Sequence, residues 1–129
     1  INTLPLEQYL LGVLGNEMPL GWPDAALRAQ AIASRTYALS QLCPDTVLYD
    51  LKSTTASQVY GGVDEKLRTE EIIQSTHGQV LSYLDKPVQA FFHSTCGGDT
   101  VPSAWAFRGG SKQDTAGYVR RDDFLPNSD

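Results

Sequence analysis

The chain has 129 residues, 41% of them hydrophobic, which is the size and composition of one domain around one core. Lys and Arg number 10 against 15 Asp and Glu, a formal net charge of −5, and no element gathers the basic residues, so nucleic acid, which is held by clustered cations, is excluded as a partner class. The same acidic balance gives no overall field for any polyanionic polymer, and recognition of one must be local.

No run is long and apolar enough to span a bilayer, and no basic segment followed by an apolar stretch marks a signal peptide. The chain begins at Ile1 and not Met, so we expect a single domain over residues 1–129, an excised or processed fragment of a longer protein whose targeting segment is absent here. Two cysteines, Cys43 and Cys96, fit either one disulfide or two free thiols, and the count leaves both open.

Leu6, Tyr9, Leu10, Val13 and Leu14 follow Pro5 at helical spacing and predict a first helix to about Asn16. Glu17 falls where that helix stops, because Pro19 turns Met18 away from helical geometry. Pro23 and Asp24 open a second helix, which runs through an alanine-rich stretch to Leu39. Its Arg28, Ile32, Arg35 and Leu39 share one stripe, so both guanidinium groups are expected on one solvated face. From Cys43 to about Ser57 breakers and hydroxyl residues predict a long loop.

After Gly61-Gly62 a third helix is expected from Thr69, stopped at Gly78 after His77. Two β-rich runs follow, Gln79 to Leu84 and Pro87 to His93, joined by Asp85-Lys86 as a hairpin. The second run leads into Ser94-Thr95-Cys96-Gly97-Gly98, whose glycines let the backbone turn and approach a ligand. Helices first and strands later make the fold class α+β: N-terminal helices packed on a small, mostly antiparallel sheet.

Three constellations offer chemistry. Glu17 sits between an apolar helix and Met18-Pro19, where a partly desolvated carboxyl keeps its proton as a general acid must, although a lone Glu at a helix end is far more often a surface charge. His93 and Cys96 are too few for zinc, which takes three or four protein ligands, and only Cys43 and His77 could join them. The same pair as a nucleophilic dyad lacks a visible third group to orient the base. Gly61-Gly62 and Gly97-Gly98 match no phosphate loop and read as turns.

Taken together, five blocks resemble the stage II sporulation protein D family, also called SpoIID/LytB. They are Leu4 to Val13, Asn16-Glu17-Met18-Pro19, Leu27 to Tyr37, Ser57-Gln58-Val59-Tyr60-Gly61-Gly62, and Phe91-Phe92-His93-Ser94-Thr95-Cys96-Gly97-Gly98. The resemblance implies a lytic transglycosylase of peptidoglycan glycan strands, without cofactor, in which Glu17 is the acid/base and the cleft lies between the helical part and the Gly-rich loop. It implies Arg35 as the helper near Glu17, and His93, Ser94, Thr95, Gly97 and Gly98 as the sugar-binding loop, with Gln30 and Tyr60 as further substrate contacts. A core or rim role suits Tyr60 equally, and the same holds for Tyr37 and Trp22.

One branch of the family is described as amidase enhancers, which implies the alternative of a non-catalytic wall-binding module acting with a cell-wall amidase. Either role implies a place outside the cytoplasm, in the envelope or secreted. Some members carry metal-binding cysteines and a histidine between the second helix and the Gln-Val-Tyr block; Lys52, Ala56 and Ser57 stand there in this chain, so no metal is expected. Many relatives have a histidine after the glycine pair, where this chain has Asp99, and no role carries over to it.

Overall fold

The computed structural model describes residues 3–42, 50–52, 57–62, 67–93 and 98. Two compact units divide the chain, Ile1–Ala90 and Phe91–Asp129. Most of the loop expected between Cys43 and Ser57, both cysteines, and the tail from Trp105 lie outside the described residues.

Helix α1 spans Leu6–Glu17. Proline fixes φ near the value a helix entry needs, and Pro5 (φ −56°) supplies the carbonyl that takes the first helical bond, from Tyr9 N–H at 3.0 Å. At the other end Pro19 excludes the helical conformation from its predecessor, and Met18 is extended (φ −142°, ψ 134°). The helix therefore ends on Glu17, one residue beyond the sequence expectation. A turn closed by Trp22 N–H on Pro19 O (3.0 Å) leads to α2, Asp24–Ser40, with Pro23 at its N-cap.

Helix α3, Leu67–Ser75, starts two residues before the expected Thr69. It unwinds through Thr76 and His77 into Gly78 at φ +70°, the left-handed position where glycine meets no steric cost. Leu10 and Leu14 of α1, Leu27 and Ala31 of α2, and Ile72 and Ile73 of α3 form the core, flanked by Tyr9, Leu11, Met18 and Leu20. Alanine at position 31 lets the three helices close on one another, and truncating either leucine of α1 removes about 2–5 kcal/mol.

The solvated face expected for Arg28 and Arg35 is half wrong. Arg28 is exposed, but Arg35 is 1% exposed and its guanidinium joins three elements. Nε and Nη2 donate to the two carboxylate oxygens of Glu7 on α1, each at 2.8 Å. Nη1 donates to Gln79 O at 3.1 Å, and Nη2 also reaches Ile73 O and Thr76 Oγ1 at the end of α3. A charge can be buried when its donors all find acceptors, and here they come from α1, α3 and the chain beyond it.

The hairpin exists in a different register from the expected one. Strands β1 (Ser82–Tyr83) and β2 (Lys86–Pro87) pair antiparallel, Ser82 with Pro87 and Tyr83 with Lys86, around a turn at Leu84-Asp85. Both turn residues have positive φ (48° and 61°), as a two-residue hairpin loop of the type matching strand twist requires. Val88 N–H to Leu81 O (3.1 Å) adds a rung, and Leu81 N–H donates to Thr36 Oγ1 (3.0 Å), pinning the hairpin to α2. Among the described residues, three helices packed on a two-stranded antiparallel sheet give the α+β class expected from the order of elements.

Candidate functional site

The segment Ser57–Gly62 lies along the C-terminal half of α1, and two glycines make that approach feasible. Gly12 O accepts from Gly61 N–H at 3.0 Å and from Asn16 Nδ2 at 2.8 Å. A Cβ on Gly12 would run into the Tyr60 ring and stand 2.5 Å from Gly62 O, and one on Gly61 would stand 2.6 Å from Asn16 Nδ2. The Tyr60 ring stacks on Tyr9, centroids 5.5 Å apart and planes 11° from parallel.

Between these contacts the segment carries two polar groups inward. Gln58, fully buried, accepts from Tyr9 Oη at 2.9 Å and donates from Nε2 to Ser34 O at 3.0 Å. Val59 N–H donates to Glu17 Oε1 at 2.7 Å. Glu17 is partly exposed, and among the described residues its Oε2 has no hydrogen-bond partner. An acid in the last turn faces the negative end of the helix dipole, so α1 itself offers this carboxylate nothing. The donor comes from a segment 42 residues away.

Tyr9 is the titratable neighbour most altered by this packing. Burial pushes its phenol up to about 12, with further contributions from the Glu17 charge and from Tyr37 and Tyr60. It is a neutral hydroxyl donor at any physiological pH. The arrangement is thus a partly exposed carboxylate with one oxygen pinned by a backbone amide and, among the described residues, no hydrogen-bond partner on the other.

The Arg35 guanidinium is bound at Glu7, away from Glu17, where the resemblance implied a helper. Glu7, which holds the Arg35 guanidinium, lies ten residues before Glu17 on α1, about 15 Å along the axis at 1.5 Å per residue. Gln30 is buried, and its Nε2 donates to Ser34 Oγ at 3.0 Å. Tyr60 is partly buried against Tyr9 and Gly12. In the second unit His93 is exposed and Gly98 has φ +130°, which favours glycine, while Ser94, Thr95 and Gly97 lie outside the described residues.

Tyr9, Gly12, Asn16 and Gln58 belong to the blocks that carry the resemblance, but the sequence assigns none of them a role beside Glu17. Two signals could have marked them. A glycine inside a helix costs about 1 kcal/mol against alanine and calls for a close approach as its reason. A tyrosine on the apolar stripe needs a partner for its hydroxyl. Elsewhere Asp24, Arg28, Leu67, Arg68, Glu71 and Ile72 line a groove of about 470 Å³ between α2 and α3, which contains no side chain of the Glu17 arrangement. Arg68 there donates to Asp24 Oδ1 and Trp22 O, both at 2.9 Å.

Comparison with known proteins gives three kinds of result. The family model described as SpoIID, stage II sporulation protein, matches residues 1–83, a span that holds all of α1 to α3 and the Ser57–Gly62 segment. An uncharacterized protein of Brachyspira hyodysenteriae is 38% identical over 104 residues, covering 78% of this chain and 28% of its own length. The amidase enhancer of Bacillus subtilis is 41% identical over 94 residues (73% of this chain, 13% of that protein). Stage II sporulation protein D of the same species is 31% identical over 117 residues (78% and 34%). The chain thus spans well under half the length of the curated relatives it matches. No solved structure matches it.

Proposed function

Because the chain belongs to the stage II sporulation protein family SpoIID, we propose that it is a lytic transglycosylase acting on peptidoglycan glycan strands, with Glu17 as its acid/base. The observation that carries this reading is the Val59 N–H on Glu17 Oε1, which fixes a partly exposed carboxyl and leaves Oε2 for a substrate.

In the proposed reaction the Glu17 carboxylic acid gives its proton to the oxygen joining N-acetylmuramic acid to N-acetylglucosamine. The C1–O bond breaks and N-acetylglucosamine departs with a free hydroxyl. Glu17, now a carboxylate, takes the proton of the muramic C6 hydroxyl as that oxygen bonds to C1 and closes the 1,6-anhydro ring. The proton lost in the first half returns in the second. No water is activated, so the second carboxylate of an ordinary glycosidase is dispensable.

Arg35 enters this proposal as a residue that holds α1 in place through Glu7, and Gln30 as a buried side chain bonded to Ser34, whose carbonyl accepts from Gln58. The loop from His93 to Gly98 keeps the role the resemblance implies, hydrogen bonding to sugar hydroxyls, and the protein is placed outside the cytoplasm, where such glycan lies. A second reading has its own support, since the Bacillus subtilis relative is named an amidase enhancer. On that reading the chain binds glycan and assists a cell-wall amidase without cleaving the strand.

Mass spectrometry of soluble products separates the two. Glycan strands incubated with the chain, both with and without stem peptides, are expected to release fragments ending in 1,6-anhydro-muramic acid, lighter by one water than hydrolysis products. Glycan that binds the chain and releases nothing in either form would favour the enhancer.

A further inference from the structure

We propose that Gln58 is the positioning residue of this site, the buried amide that sets where the Val59 N–H meets Glu17. The inference rests on Glu17 as the working carboxylate and goes beyond it in naming what holds that carboxylate.

Gln58 is 0% exposed, whereas its neighbours Ser57, Val59 and Tyr60 are only partly buried and Gly61 is exposed. Burying a primary amide is costly unless both of its ends are paired, and a leucine or methionine of similar size would fill the same space more cheaply. Both ends are paired, and by different helices. Tyr9 Oη on α1 donates to Oε1, and Ser34 O on α2 accepts from Nε2. These bonds fix the direction of the amide as well as its place, because the Ser34 carbonyl can only accept and so must take Nε2, which leaves Oε1 to the Tyr9 hydroxyl. Tyr9 keeps its proton throughout the physiological range, so the donor on Oε1 is constant.

The consequence for Glu17 follows from covalent geometry. Val59 N belongs to the rigid peptide plane that begins at Gln58 Cα, so locking the Gln58 side chain restrains the N–H one bond system away. On the far side, the Tyr60 ring on Tyr9 and the Gly61 N–H on Gly12 O clamp the same segment. Val59 is therefore held from both directions, and Glu17 Oε1 with it. A misplacement of about 1 Å in a reacting group can cost roughly a hundredfold in rate.

The test uses the full chain with Tyr9→Phe, which deletes one hydroxyl and keeps the ring stack, and Gln58→Met, which deletes the amide at similar volume. Amide hydrogen exchange is measured without substrate, and kcat and KM on glycan strands beside it. Tyr9→Phe is expected to speed exchange at Val59 about tenfold, as loss of roughly one hydrogen bond would, with Leu27 and Ala31 of the core unchanged. It is expected to lower kcat by about ten- to a hundredfold while KM stays within about twofold. Unchanged exchange at Val59, or equal acceleration at Val59 and the core amides, overturns the inference; the second result would make Gln58 ordinary packing. Should Gln58→Met fail to fold, Tyr9→Phe decides alone. A wild-type chain without lytic activity would count against Glu17 as the acid, and the exchange result would still stand or fall by itself.

Discussion

The ring of Tyr60 lies on Gly12 of α1 with no space between them for a side chain. Gly12→Ala gains about 1 kcal/mol of helix propensity, but the new methyl meets an aromatic ring and a backbone carbonyl, and the carbonyl cannot swing aside. Overpacking costs about 1–3 kcal/mol, and a backbone oxygen 2.5 Å from the new methyl puts this site at the upper end, so the clash decides the sign. Gly12→Ala should lower stability by roughly 1–2 kcal/mol in urea denaturation. It should also lower lytic activity, because the segment carrying Val59 must lift. A stability equal to or above wild type would show that the segment is not seated as described.

Glu7 and Arg35 pair through two 2.8 Å bonds across 28 residues of sequence. Glu7→Gln keeps the shape and removes the charge, leaving a buried guanidinium uncompensated. Breaking a buried pair costs about 3–5 kcal/mol; the Glu7 side chain is 28% exposed, and solvent screening brings the expectation to roughly 2 kcal/mol. The double variant Glu7→Gln/Arg35→Met should recover most of the loss, as measured by the urea midpoint. An Arg35→Lys chain of unchanged stability but diminished lytic rate would return Arg35 to the helper's role near the substrate.

Tyr9 makes stability depend on alkaline pH. Its folded value of about 12 lies above the ordinary phenol value of 10.0, so between them the unfolded chain binds fewer protons than the folded one and stability falls as pH rises. The Tyr9 contribution is complete below about pH 10 and disappears as pH passes through about 12. Ultraviolet titration should show Tyr9 ionising late, as a high-pH step that is missing in Tyr9→Phe, and the slope of stability against pH in this range should flatten in that variant. The same slope in both chains would contradict the buried phenol.

What the sequence revealed follows from how far each signal reaches. Pro19 and Pro23 act on their immediate neighbours, so the end of α1 at Glu17 and the start of α2 at Asp24 were legible to within a residue. The hairpin was legible but its register was not. Both residues of β1 and both of β2 are exposed, so no buried face fixed the pairing, and Leu84 at positive φ carries no sign of a turn in its side chain. Arg35 was misjudged because the surface is the usual place for a guanidinium and its acceptors come from Glu7, Ile73, Thr76 and Gln79. Glu17 stood out through its place before Met18-Pro19 and through the resemblance. Its partner Val59 did not, since a backbone amide has no residue type to read.

Glu17→Gln is the most direct measurement, because the glutamine Oε1 can still accept from Val59 N–H while the side chain can no longer give or take a proton. With peptide-free glycan strands as substrate, release of 1,6-anhydro products by the variant should fall by about a hundred- to ten-thousandfold, with the melting temperature and glycan binding retained. Anhydro products at the wild-type rate from Glu17→Gln would contradict the account.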